Sequence, residues 1–296
     1  MDDGRYLGII EEAWRTAGVS SPDVGARATA YARFVPALQA RLDAMSLEDA
    51  RGFVEHHRAQ VRRLDRDAVA SAVAGWMYDR DGDAVAVVAL LGAGFHDDVV
   101  ADPARTAALA PHAHLERLGG WRWIQAPVRA RWRDAIHAAI PDAFAGVAYP
   151  GDDLVCSGDW PTQEECRYFC GKDWRTLSHA VLYRRASDLS FFAPAGLHYL
   201  LPAFLQASLE DLDGARTAGI SIADTLLFKL SYGYMRKALA RFTDVQRALL
   251  ADVMRVHHLD WQRGPFALPD ADLELALEQL DPSRPSPRRP QRRFGR

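Results

Sequence analysis

Apolar residues recur at spacings of three and four along most of the chain, the period of a helix that buries one face. Tyr6, Ile9, Ile10 and Trp14 form the first stripe, stopped by Gly18. Tyr31, Phe34, Val35, Leu38 and Leu42 form the second. Ser46 is placed to cap a third, with Glu48 and Asp49 at the positive end of its dipole and Phe53, Val54, His57, Val61 and Leu64 along it. Asp67 can cap a fourth that runs to Trp76 and Tyr78. Period alone does not separate helix from strand in the run from Ala84 to Phe95, but its length and Ala content favour a buried helix. Asp102-Pro103 opens a short helix, because proline is tolerated at the first helical position.

The second half begins after a connection over 111–127, packed down by Trp121 and Trp123. A helix is expected from about Val128 to Ile140, with Trp132, Ile136 and Ile140 on one face. A long irregular stretch follows, punctuated by Pro150-Gly151 and Ser157-Gly158. Thr162 and Glu165 fit a capping box before Cys166, Phe169 and Cys170, and Gly171 ends that helix. Trp174, Leu177, Val181 and Leu182 suggest another. Ala193-Pro194 opens the most apolar helix, through Tyr199, Leu200, Leu201, Phe204, Leu205 and Leu209. Pro202 should kink or split it, because proline lacks the backbone donor. A further helix runs from Ile220 to Tyr234. Thr243 with Gln246 is a second capping box, and a last helix covers about Asp270 to Leu280.

The expected fold is therefore all-α or mainly α, with two packed helical modules at 1–118 and 119–281. The second carries the long irregular loop. Residues 282–296 hold six Arg and no acid among Pro and Ser, a composition that builds no core and reads as a disordered basic tail.

Charge and cysteine usage narrow the function classes. The 296 residues carry 36 basic and 39 acidic side chains; with the tail set aside, the body has a net charge of −9. Only Lys172, Lys229 and Lys237 are lysines. An acidic body does not suit a dedicated nucleic-acid binder, whose basic residues line a folded face. Three cysteines, an odd number in so long a chain, argue against a disulfide scaffold. The opening Met1-Asp2-Asp3 is no secretory leader. The longest apolar run is about half of the ~20 residues that span a bilayer. The expectation is a cytoplasmic protein with no membrane partner.

Two stretches resemble bacterial helical families of unknown function. Over 5–110, the string Ile-Glu-Glu-Ala-Trp14, then Leu-Glu-Asp-Ala-Arg-Gly-Phe53, Trp76, Asp81-Gly-Asp83 and Ala101-Asp102-Pro103 resembles one of them distantly. That family's aromatic helix is replaced here by Ala, Val and Leu, and Asp81 and Asp83 bracket Gly82 where the family has an Asp pair. Over 129–260, Ala143-Phe144, Tyr149-Pro-Gly-Asp-Asp-Leu-Val155, Gly171-Lys-Asp-Trp174 and the segment Phe191–Leu205 resemble a second family more closely. The resemblances imply two fused helical modules and bring no activity, cofactor or catalytic residue.

The most polar constellation is the loop with Asp152, Asp153, Asp159 and Trp160, followed by Lys172 and Trp174 and facing Tyr199. Clustered carboxylates can bind a cation or move protons, and they also serve as turn and cap formers. These residues are the candidates for ligand or partner binding, with no catalytic residue assigned. Cys156, Cys166 and Cys170 with His179 are the soft ligands a zinc site would use. The tight second Cys pair of structural sites is missing, so no metal and no cofactor are expected. His56-His57, His112-x-His114 and His257-His258 lack paired acids at fixed spacing, and His96-Asp97-Asp98 offers a base beside an acid only in sequence. Nucleophile-elbow, phosphate-loop, zincin and dinucleotide signatures are missing.

The reading that fits is a non-enzymatic protein-binding factor of bacterial type, such as an immunity or adaptor protein, with a basic protein as partner for its acidic body. Two alternatives stay open. One is an enzyme with its site between the Asp152–Trp174 loop and the Tyr199–Pro202 helix. The other is a nucleic-acid accessory protein acting through the Arg-rich tail.

Overall fold

The computed structural model describes residues 1–65, 68–69, 83–92, 96–109, 121–157, 166–210, 221–261 and 270–281. Among these the regular elements are helical, with one isolated β-bridge between Cys156 and Phe192 and no strand. No helix among them is long and apolar enough to cross a membrane. The chain divides into two compact units, Met1–Trp132 and Arg133–Arg296. Position 118, where the modules were expected to meet, and the basic tail at 282–296 lie outside the described residues.

In the first unit the helices are α1 (Asp3–Thr16), α2 (Val24–Ala44), α3 (Leu47–Arg63), α4 (Asp83–Leu91), α5 (His96–Ala101), α6 (Pro103–Leu109) and the first half of α7 (Trp121–Ala143). Ser46 caps α3 as expected, and Asp2 and Asp23 cap α1 and α2 in the same way. Asp2, Asp23 and Ser46 accept from the amides of Arg5, Ala26 and Asp49 at 2.8, 2.8 and 3.1 Å. The next cap differs: Asp65 Oδ1 accepts from the Ala68 amide at 3.0 Å, while Asp67 lies outside the described residues. The apolar run is helical over Asp83–Leu91, with Val85 to Leu91 all buried, and its end at 93–95 lies outside the described residues.

α1 packs on α2 through Trp14, whose ring stacks on Phe34 with centroids 3.8 Å apart. Arg27 is buried beside them. Its Nη2 reaches both carboxylate oxygens of Glu11 at 2.8 and 2.7 Å, and its Nη1 and Nε donate to the carbonyls of Leu91 and Ser21. The guanidinium thus ties α1 and α2 to the end of α4. α7 begins at Trp121 rather than near Val128. Trp121, Ile124, Val128 and Trp132 are all buried, so the stripe continues on the N-terminal side of Pro127. The expected connection therefore ends at Trp121.

The second unit is built around α9 (Pro194–Glu210), which packs on α8 (His179–Arg184), α10 (Ile222–Ser231), α11 (Arg236–Leu239) and α12 (Asp244–Trp261); α13 (Asp270–Leu280) packs on α10 and α12. α9 is not split at Pro202. A mid-helix proline costs about 3 kcal/mol. Leu200, Leu201, Phe204 and Leu205 are fully buried around it, each worth roughly 1.5–3 kcal/mol, so packing outweighs the lost bond. The helix expected through Trp174 and Val181 is broken instead. A 3₁₀ turn at Trp174–Thr176, capped by Asp173 on the Arg175 amide at 3.0 Å, and the separate α8 are parted at Leu177–Ser178, where the backbone is extended at ψ 131° and 128°. Cys166–Cys170 likewise forms a 3₁₀ turn at Arg167–Phe169, ended by Gly171 at φ +68°.

The Thr243 capping box forms as expected: Gln246 N donates to Thr243 Oγ1 at 3.2 Å and Thr243 N to Gln246 Oε1 at 3.0 Å. The same Gln side chain also donates to the Ala143 carbonyl at 2.9 Å and meets His198 Nε2 at 3.0 Å. α10 ends at Ser231, short of Tyr234. Gly233, at φ +71°, closes a Schellman turn: Tyr234 N donates to Lys229 O and Gly233 N to Leu230 O, both at 2.9 Å.

Candidate functional site

The polar loop of the second unit is held by backbone stitches. Ser157 N donates to Phe191 O at 2.8 Å and Ala193 N to Val155 O at 2.9 Å. Gly196 makes this possible, since a Cβ there would stand 2.2 Å from the Val155 carbonyl oxygen. Gly151, at φ +91°, turns the chain into a 3₁₀ turn at Asp152–Leu154.

Tyr149 organises the surroundings of that turn. Its hydroxyl donates to Asp152 Oδ1 and accepts from the Gly171 amide at 2.7 Å. Its ring meets Tyr199 edge to face, with centroids 5.2 Å apart. Burial first, and the Asp152 carboxylate second, push the Tyr149 hydroxyl up to about 12. Burial and then Asp173 raise Tyr199 as well. Neither phenol is poised to act as a base near neutral pH.

The other expected site residues scatter. Asp153 is exposed, and Asp159 and Trp160 lie outside the described residues. Trp174 is core, 1% exposed, with Arg175 over its ring at 4.6 Å. Lys172 Nζ sits over the Tyr168 ring at 3.5 Å. Of the seven residues singled out, the structure brings together Asp152, Trp174 and Tyr199: Tyr149 links Asp152 to Tyr199, and the Trp174 backbone hydrogen-bonds the Tyr199 hydroxyl. Among the described loop carboxylates, Asp152 is tied to Tyr149 and Asp153 is exposed.

The cysteines do come together. The Cys156 side chain lies within hydrogen-bonding reach of both Cys166 and Cys170, and all three thiols are free. His179 is not with them: its Nδ1 pairs with Glu210 Oε2, whose other oxygen is 3.5 Å from His137 Nε2. Among the described residues no group of three or more His, Cys, Asp or Glu side chains could hold a metal ion. Burial raises the Cys166 and Cys170 thiols, the opposite of what activates a nucleophilic cysteine. Beside them a cleft of about 480 Å³ is lined by Tyr168, Val181, Arg184, Arg185, Ser187 and Asp188. The buried Asp188 carboxylate is already paired with Arg185 at 2.9 Å.

His112 and His114 lie outside the described residues, and the described histidines of the first unit are engaged in packing and pairing. His57 is fully buried against Trp121, its ring 4.0 Å from the indole, and its Nδ1 shares a proton with Tyr6 Oη at 2.7 Å. His56 pairs with Asp3 at 2.8 Å. His96 is 3.9 Å from Asp97, too far for a hydrogen bond.

One feature escaped the sequence reading. Phe228, Tyr232 and Tyr234 are 49%, 47% and 64% exposed, and they form one cluster. Phe228 lies 4.7 Å from Tyr232 and stacks on Tyr234 at 5.9 Å. Extending α10 to Tyr234 puts Phe228 and Tyr232 on one stripe, like a core pair. The Schellman turn instead brings Tyr234 beside Phe228 and Tyr232, with all three rings at the surface. The signal was present in Phe228-x4-Gly233-Tyr234, with glycine at the C′ position, an aromatic after it and an aromatic in the last turn. Comparison with protein-family models, with curated proteins and with solved structures finds no match to this chain.

Proposed function

We propose that this chain works by binding another protein, without catalysis, through the face made by Phe228, Tyr232 and Tyr234. The exposed aromatic cluster carries the reading. Contiguous apolar surface on a folded chain marks a contact site more often than not, and Tyr and Phe supply large, rigid contact area at small entropic cost. The alternative, a reaction centre at the Asp152–Trp174 loop, has less support: Asp152 is tied to Tyr149, Trp174 is core, and the buried thiols are raised. A partner-binding factor of the adaptor or immunity kind fits these features.

The experiment uses the full chain, tagged and returned to its native host. The double variant Phe228→Ala, Tyr234→Ala leaves the core untouched, so its far-ultraviolet circular dichroism and urea midpoint should match the parent. Truncating two central aromatic anchors should weaken a stoichiometric partner roughly thirtyfold or more. A partner captured equally by parent and variant, or no partner for the parent, refutes the proposal.

A further inference from the structure

We infer that Cys156, Cys166 and Cys170 form a thiol modification site, which a small-molecule disulfide of the glutathione kind converts to one internal disulfide with Cys156 as a partner. The inference is independent of the aromatic face. Two backbone segments meet to make the cluster. Cys156 is bridged to Phe192, and the chain is stitched on both sides of it: Ser157 N donates to Phe191 O at 2.8 Å and Ala193 N to Val155 O at 2.9 Å. Cys166 and Cys170 flank the 3₁₀ turn Arg167–Phe169. The Phe169 ring meets Phe192 edge to face, with centroids 5.0 Å apart, and both rings pack on Phe204 of α9. The turn is thereby held against the stitched segment, and the Cys156 side chain lies within hydrogen-bonding reach of Cys166 and of Cys170.

Packing alone does not ask for this arrangement. A free cysteine that serves as small apolar filler is buried and needs no second sulfur beside it. Here Cys166 is buried, but Cys156 and Cys170 are both partly exposed, within reach of a small solute. His179, the imidazole that a three-cysteine metal site would add, is engaged by Glu210. The chemistry open to the three thiols is therefore with one another.

The conversion takes two exchanges. The Cys170 thiolate attacks one sulfur of the oxidant; the oxidant's S–S bond breaks, one small thiolate leaves, and a mixed disulfide remains on Cys170. Cys156 then gives its proton to solvent, and its thiolate attacks the Cys170 sulfur. The mixed bond breaks, and the second small thiolate leaves. The two protein thiols give up two electrons and two protons, and the oxidant takes them up as two thiols. Cys166 can exchange with the new bond in the same way and free Cys170, because Cys156 is within reach of both. Burial raises Cys166 and Cys170, which slows the first attack. The same burial makes each a poor leaving thiolate, so a bond once closed persists until a reductant opens it.

The sequence makes the product readable. Trypsin cuts after Arg133, Arg167 and Lys172, so Cys156 and Cys166 share the peptide 134–167 and Cys170 sits alone in 168–172. The folded full chain is incubated with excess oxidised glutathione, remaining thiols are capped with iodoacetamide, and the digest is read by mass spectrometry. The same chain in urea shows that the reagent works. The folded parent should hold one disulfide, seen as 134–167 joined to 168–172 through Cys156 or as 134–167 lighter by two hydrogens. The third cysteine should be alkylated, and all three should be alkylated after dithiothreitol. Cys156→Ser should leave glutathione on Cys170 with its lifetime lengthened about tenfold or more, because the displacement it loses is intramolecular. Three results overturn the inference. One is three free thiols in the folded chain under conditions that oxidise it in urea. Another is a mixed disulfide on Cys170 that lasts as long in the parent as in the variant. The third is a bond that joins two chains or pairs Cys166 with Cys170.

Discussion

Protonating His57 should unfold the first unit from within. The ring is fully buried, packed on Trp121 and Phe53, with Tyr6 Oη 2.7 Å from its Nδ1. Burial chiefly, then the like charge of His56 and His96, holds its pKa at about 3, against 6.5 for a free imidazole. The sign follows from linkage. The folded state keeps the ring neutral where the unfolded chain already binds a proton, so this contribution is intact above pH 6.5 and is lost as pH falls toward 3. Each pH unit below 6.5 costs about 1.4 kcal/mol. Between pH 6.5 and 5.0 the loss is about 2 kcal/mol, a large share of the stability of a typical domain. Other groups titrate in the same range, so the measurement is a difference. Urea unfolding of the parent and of His57→Gln, followed by Trp fluorescence at pH 7.5, 6.5, 5.5 and 5.0, isolates the one imidazole. The variant keeps a partner for Tyr6 and does not titrate. Its disadvantage at pH 7.5 should shrink by about 2 kcal/mol at pH 5.0. A gap that stays constant over this range refutes the argument, as does an imidazole NMR resonance of His57 that titrates near 6.5.

Two further substitutions test the second unit. Gly196→Ala places a methyl 2.2 Å from the Val155 carbonyl oxygen and 2.6 Å from its Cα, both of them backbone. The loop stitched to Phe191 and Ala193 must then move, at a cost of about 3 kcal/mol or more, and an unshifted denaturation midpoint would disprove the close approach. Gln246→Ala removes the partners of Thr243 N and the Ala143 carbonyl, together with the His198 contact. At roughly 0.5–1.5 kcal/mol for each bond, the loss is about 2–4 kcal/mol, and hydrogen exchange at the Thr243 amide should speed up in step; exchange as slow as in the parent counts against it.

Local signals were legible in the sequence, and long-range pairings were not. The caps at Ser46 and Thr243 and the buried run at Val85–Leu91 could be read because each depends on neighbours within a few residues. That the helix continues through Pro202 could not be read, because the local cost of the proline is set against packing supplied by distant residues. The pairings of the polar loop were hidden for a related reason. The fate of Asp152 depends on Tyr149 and, through it, on Gly171, and His179 is taken by Glu210 at the far end of α9. No spacing rule pairs residues 31 apart. The aromatic cluster was concealed by a different error, the expected end of α10. A shift of three residues decides whether Tyr234 continues the helix or turns back beside Phe228 and Tyr232.

That ending has a consequence for how the exposed face can change over generations. The turn at Gly233 is fixed by two main-chain bonds and a glycine conformation, none of which depends on what the rings are. Residues 228, 232 and 234 are thus released from any duty to the scaffold. A lineage can exchange one partner for another by swapping side chains there while the helices beneath remain as they are, provided position 233 stays glycine.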